Sequence, residues 1–262
     1  MTRIQRPLDL RRSTIVIGSL LASVMFIGLA RADSPNTPPS SRCDGSMQGQ
    51  LLNGPGVCVF SSGNRFEGQF RNGKRHGPGT FIYRDGTRCQ GLFVNQHLSG
   101  PGRCTFPDGS VYEGEFSDSQ IQGKGTLTYP DGSSCTGFFR NQTLVGQGRC
   151  ILANGNEYSG NFRNGIRFGQ GTFTYANGTT CEGQFVNQLL NGQGSCSFPS
   201  GNRYVGEFRN GVSHGRGVFI FSDGARLEGT WQDGKFVPPP ANNSPTNNNR
   251  PSPRNGSPPR DR

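Results

Sequence analysis

Residues 112–134 read YEGEFSDSQIQGKGTLTYPDGSS, and residues 181–203 read CEGQFVNQLLNGQGSCSFPSGNR. Laid over one another, both carry Gly at positions 3, 12, 14 and 21, Phe at position 5 and an aromatic at position 18. Working outwards in the same 23-residue phase, units begin at Cys43, Phe66, Cys89, Tyr112, Cys135, Tyr158, Cys181 and Tyr204, with a shortened ninth at Leu227. Gly holds position 3 in all nine units and positions 12, 14 and 21 in all eight full ones. Position 5 is Phe in seven, with Met47 and Trp231 in the outer two, and position 18 is aromatic in all full units but one, which has Leu152. A fixed period over this many copies marks a repeat architecture.

Within a unit the pattern has a period of two. Positions 1, 3 and 5 alternate with polar residues, and positions 14, 16 and 18 do the same on the return, as in a half-buried strand. Asn72-Gly73, Asn164-Gly165 and Asn210-Gly211 lie between the two runs, and Asn-Gly favours the tight turns that join antiparallel strands. Pairing position 1 with position 16 centres the turn between positions 8 and 9. One face then carries positions 1, 5, 16 and 18. Glycines at 3 and 14 leave room for aromatic rings to lie over the backbone, and the opposite face is mostly Glu, Gln, Arg, Thr and Ser. Helix is disfavoured by 41 glycines and by the lack of a long 3.6-residue period beyond residue 32. The expected fold is all-β: an elongated, twisted antiparallel sheet of stacked hairpins, about 80 Å long at ~4.8 Å per strand.

The pattern YEGEF…GKGTLTYPDG resembles the MORN repeat, and the resemblance spans residues 43–235. It departs from the family in one respect: alternate units begin with cysteine where an aromatic is usual. The resemblance implies a role in protein assembly or in contact with acidic membrane lipids. MORN repeats also accompany catalytic domains in plant phosphatidylinositol phosphate 5-kinases and in a lysine methyltransferase. Neither activity is implied here, because only the repeats are present.

The cysteines are Cys43 and Cys58, Cys89 and Cys104, Cys135 and Cys150, and Cys181 and Cys196, each pair 15 apart. They occupy positions 1 and 16, the places that Phe66/Phe81, Tyr112/Leu127, Tyr158/Phe173 and Tyr204/Phe219 hold in the other units. Eight cysteines allow 105 pairings. Cysteines of different units lie about three or more strands apart, at least ~14 Å, whereas a disulfide needs Cα atoms within roughly 7 Å. Pairing within each unit is therefore expected. The same units also share Gln at position 8 and Leu at position 10 (Leu52, Leu98, Leu144, Leu190). These leucines either belong to a duplicated two-unit block with a different turn or form a ladder open to a partner. Zinc is disfavoured, because structural sites use ligand pairs two to four apart and His76, His97 and His214 are remote from one another.

The ends read differently. Arg3, Arg6, Arg11 and Arg12 precede an uncharged run from Thr14 to Ala30, followed by Ala30-Arg31-Ala32. A basic start, apolar middle and small-x-small site describe a secretory signal over residues 1–32; an uncleaved membrane anchor is the alternative. Residues 33–42 form a short linker. Residues 236–262 are Pro, Asn, Ser and Arg with little to bury, and are expected to be disordered, either a solvated spacer or a basic adhesive tail. Of the +10 net charge, the first 32 residues supply +4 and the tail +3, leaving +3 on residues 33–235. A nucleic-acid partner would need a basic face on the folded part, and none is evident.

No phosphate-binding or nucleophile-elbow motif occurs, and Glu113, Glu182 and Glu207 fall at positions 2 or 4 of the polar face. The expected protein is a non-catalytic, exported scaffold of the cell envelope, periplasmic or extracellular, with a protein partner and no cofactor or metal. The other reading is salt-sensitive binding of an anionic lipid or envelope polymer. Arg71, Arg140, Arg163 and Arg209, all at position 6, would carry it together with the basic tail.

Overall fold

The computed structural model describes residues 41–239. The signal, nearly all of the linker and most of the tail read from the sequence lie outside the described residues. The units form β1 (Arg42–Gln48) and β2 (Leu51–Val59), β3 (Arg65–Arg71) and β4 (Lys74–Ile82), β5 (Arg88–Val94) and β6 (His97–Thr105), β7 (Val111–Ser117) and β8 (Gln120–Thr128). They continue as β9 (Ser134–Arg140) and β10 (Thr143–Ile151), β11 (Glu157–Arg163) and β12 (Ile166–Thr174), β13 (Thr180–Val186) and β14 (Leu189–Ser197), β15 (Arg203–Arg209) and β16 (Val212–Ile220). The ninth unit gives β17 (Arg226–Gln232) and a short β18 (Lys235–Val237), which carries the sheet two residues past the sequence boundary at 235. Each strand pairs antiparallel with its chain neighbours, in one open meander that does not close into a barrel. There is no helix among the described residues.

Two registers alternate along the sheet. Inside a hairpin, position 1 faces 16 and position 3 faces 14, as in Phe66↔Phe81 and Gly68↔Gly79. Between hairpins, position 16 faces position 1 of the next unit, as in Cys58↔Phe66 and Phe81↔Cys89. Glycines at 3 and 14 therefore meet on every strand from β1 to β17, and these seventeen cross the sheet in one uninterrupted row.

The turn is where the structure departs from the sequence reading. The strands pair again at 5↔10 and 6↔9, as in Phe70↔Arg75 and Arg71↔Lys74, so the turn is centred between positions 7 and 8, not 8 and 9. The return strand carries two extra residues opposite position 4, in a bulge that bends at Gly of position 12, where φ runs from +63° to +113°. In every unit but the first, positions 7 and 8 both have positive φ, as in Asn164 (+49°) and Gly165 (+73°), the primed geometry that matches strand twist. Three of the four cysteine units use the same turn, with Gln in place of Gly: Gln96 at +75°, Gln142 at +65° and Gln188 at +73°; in the first unit Gly49 is at +63° but Gln50 is not at positive φ. In these three units a different turn is therefore not the reason for the 46-residue superperiod.

A glutamine has a Cβ that disfavours this left-handed conformation. Gln188→Gly is expected to raise stability by about 0.5–1 kcal/mol, seen as a higher urea midpoint at unchanged slope. A lowered midpoint would show instead that the Gln188 side chain holds the turn.

One face of this single sheet is sealed by its own side chains. In aromatic units the ring at position 1 lies across the glycines of its own hairpin: a Cβ on Gly79 would come within 2.4 Å of Phe66 Cζ. The same ring meets the position-5 rings of its own and the next unit edge to face, at 5.2 Å for Phe66–Phe70 and 4.8 Å for Phe66–Phe93, a favoured aromatic geometry. Tyr112, Tyr158 and Tyr204 also donate their hydroxyls to the carbonyls of Glu115, Asn161 and Glu207. Phe66, Tyr112 and Tyr158 are fully buried.

In cysteine units the disulfide is too small to cover the glycines, and Leu at position 10 does so instead. A Cβ on Gly91 would lie 2.7 Å from Leu98 Cδ1, and one on Gly137 2.6 Å from Leu144 Cδ1. This complementarity explains why Cys at 1 and 16 travels with Leu at 10. It also removes the ladder of exposed leucines: Leu52, Leu98, Leu144 and Leu190 are all buried.

Candidate functional site

The four disulfides join Cys43 to Cys58, Cys89 to Cys104, Cys135 to Cys150 and Cys181 to Cys196, each with Cα atoms 4.1 Å apart. That separation fits the narrow, non-hydrogen-bonded class of antiparallel pair, so the hairpin register alone brings the sulfurs together. Seven of the eight cysteines are buried; Cys43, on the first described strand, is exposed. With no free cysteine, the chain belongs with proteins of an oxidising, non-cytoplasmic compartment.

Position 10 of the aromatic units is less uniform: Arg75, Ile121, Arg167 and Ser213. Arg167 is only 5% exposed, and its Nε has no hydrogen-bond partner. Its guanidinium sits over the rings of Phe173 at 4.8 Å and Tyr158 at 5.6 Å, a cation–π contact. Burial lowers its basicity, opposed by Tyr158 and Tyr175, and burial pushes the Tyr175 hydroxyl up to about 12. A buried cation without a carboxylate is costly to desolvate. Arg167→Leu, which copies the cysteine units, is expected to be stabilising by about 1 kcal/mol or more. A loss of stability in thermal and urea melts would show that the ring stacking outweighs desolvation.

The other face is open. Its ion pairs are exposed ones: Arg65–Glu67 at 3.0 Å, Arg103–Glu113 at 3.3 Å, Arg149–Glu157 at 2.6 Å and Arg203–Glu182 at 3.6 Å. Such pairs contribute little to stability and leave the face polar. Glu207 accepts from the Arg216 backbone N–H. Among the described residues no cluster of three or more His, Cys, Asp and Glu side chains is placed to hold a metal.

The four position-6 arginines all lie exposed along the turn edge of this face, but they are not equivalent. Arg209 pairs with Asp233 at 3.3 Å. Arg163 lies flat on Phe168, its Cζ 3.7 Å from the ring centre. Arg71 and Arg140 make no ion pair among the described residues. Sequence reasoning also missed an apolar strip on this polar face, built from Phe138, Val145 and Phe168. Comparing units at positions 4 and 11 would have found it.

The sheet thus defines an open repeat protein, sealed on one side by rings and disulfides and polar on the other. The chain belongs to the MORN repeat family: the MORN repeat model matches residues 43–65, 66–88, 89–111, 112–134, 135–157, 158–180, 181–203 and 204–226. No curated protein matches it. Among solved structures it is similar to the TCP10 domain of Danio rerio CPAP, at 14% identity over 74% of this chain and 92% of that one, with a TM-score of 0.45. It is also similar to the TCP domain of Drosophila melanogaster SAS-4 (dCPAP) in complex with a proline-rich motif of Ana2 (dSTIL), at 12% identity over 59% of this chain and 84% of that one, with a TM-score of 0.40. Likeness at this level carries no functional argument.

Proposed function

We propose that this chain is a non-catalytic, exported scaffold of the cell envelope that holds a protein partner on its polar sheet face. The observation that carries this reading is the asymmetry of the sheet. One face is closed by its own side chains in nearly every unit, while the other runs uncovered across all the repeats. The disulfides support an exported location. Thiol trapping during cell fractionation, followed by crosslinking of the native envelope, tests both parts. A cytosolic chain with eight reactive thiols would refute export; an envelope chain crosslinked to nothing would refute the scaffold.

The second reading, binding of an anionic lipid or envelope polymer, is favoured by the exposure of Arg71 and Arg140. Attraction to such a surface must weaken as salt shortens the Debye length. Sedimentation with anionic vesicles or wall polymer at low and high salt separates the two readings. No binding at low salt leaves the protein scaffold alone.

A further inference from the structure

The repeat supplies its own control for what the fold requires. Positions 4 and 11 point to the open face. Across the full units they are Ser46/Asn53, Gln69/His76, Leu92/Ser99, Glu115/Gln122, Phe138/Val145, Asn161/Phe168, Gln184/Asn191 and Glu207/His214. Most units fold with polar residues at both places, so the apolar residues at 138, 145 and 168 are not demanded by packing. Yet Phe138 remains 42% exposed.

The three apolar residues are contiguous. Phe138 stands opposite Val145 in the ladder, a 4↔11 pair that none of the other full hairpins makes. On its other side Phe138 faces Lys124. Val145 lines one shallow groove with Phe138 and Lys124, and a second with Phe168 and Arg163. The two join into a strip that crosses β8 to β12, about 19 Å at ~4.8 Å per strand. That length suits an extended segment of about six residues.

Charge narrows the occupant. Glu113, the acid that lines the Phe138 groove, is tied to Arg103. Lys124, Arg140 and Arg163 make no ion pair among the described residues, and Glu115, against Gly123, is an opposing acid. We propose that this strip is the docking site for an acidic peptide segment bearing an aromatic or leucine side chain, the side chain lying on Phe138 and Val145 and the carboxylates meeting Lys124, Arg140 and Arg163. A flat membrane fits less well. It would use the arginine row evenly, whereas Arg209 is engaged by Asp233.

This inference rests on the scaffold reading and specifies its partner surface. The test pans a display library of random ten-residue peptides on the full chain. Selected peptides are then measured by fluorescence polarisation on the native chain and on a Phe138→Gln, Val145→Asn, Phe168→Asn variant. Those substitutions copy residues that other units carry, so folding is kept, which far-UV circular dichroism verifies. The expected result is enrichment of Asp and Glu around one Phe, Tyr, Trp or Leu, binding at least tenfold weaker to the triple variant, and further weakening in high salt. No enrichment, or peptides that bind both proteins equally, would overturn the strip; equal binding leaves the scaffold reading intact. Phosphatidylserine vesicles that bind the native chain and not the variant would reassign the strip to a membrane and overturn the peptide occupant.

Discussion

Opening the four disulfides is expected to unfold most of the array. Each closes a 16-residue loop, worth about 3 kcal/mol in the chain-entropy model. Because the bridges lie in separate units, their losses should nearly add. The combined loss reaches the whole ~5–15 kcal/mol by which a domain is normally stable. Removing one bridge isolates a single increment. Cys181→Val with Cys196→Val should lower the free energy of urea unfolding by about 3 kcal/mol, since valine keeps the site apolar and Leu190 still covers Gly183. An unchanged midpoint would mean that the hairpins are held by the sheet alone and that the bridges serve another purpose.

A comparably large effect is expected from one methyl group in the glycine row. A Cβ on Gly125 would lie 2.3 Å from Tyr112 Oη, and one on Gly114 would lie 2.5 Å from Gly125 Cα and 2.6 Å from the Lys124 carbonyl oxygen. Overpacking of this kind costs about 3 kcal/mol when nothing can move aside. The two sites should respond differently to removal of the ring. With Tyr112→Leu as background, Gly125→Ala should lose much of its cost, because its main obstacle is the phenol. Gly114→Ala should not, because two of its three nearest obstacles are backbone atoms. A double-mutant cycle on urea unfolding reads this directly. Equal costs for Gly125→Ala with and without Tyr112 would show that the ring does not rest on the glycines.

Much of this was legible in the sequence, because the repeat averages out local ambiguity. Strand pairing 1↔16, the apolar positions 1, 5, 16 and 18 and the four disulfides all follow from a period of two inside a period of 23. The turn was misplaced by one position because pairing was extrapolated from position 1, and the two-residue bulge at Gly of position 12 broke that extrapolation. The buried role of position 10 stayed hidden for a related reason: past the bulge, the count that assigns faces no longer holds. Leu98 therefore read as part of a different turn or of an open ladder, although it is core. The arginine row was found by its common position, but position cannot tell that Arg209 has Asp233 beside it or that Arg163 has a ring beneath it. Those partners come from neighbouring strands, and only the folded sheet sets them side by side.

The alternation of cysteine with aromatic units also governs how this chain can change length. Position 16 of one unit stands beside position 1 of the next, a wide pair whose Cα atoms are ~5.5 Å apart, still within reach of a disulfide. If two cysteine units were adjacent, thiols could join across the boundary as well as inside the hairpin, and oxidation would give a mixture of isomers. An aromatic unit between them leaves every cysteine a single near neighbour. Loss or gain of one 23-residue unit would bring two cysteine units, or two aromatic ones, together. Loss or gain of 46 residues preserves the order. The array can therefore grow and shrink by duplication only in pairs of units if it is to keep a unique oxidised form.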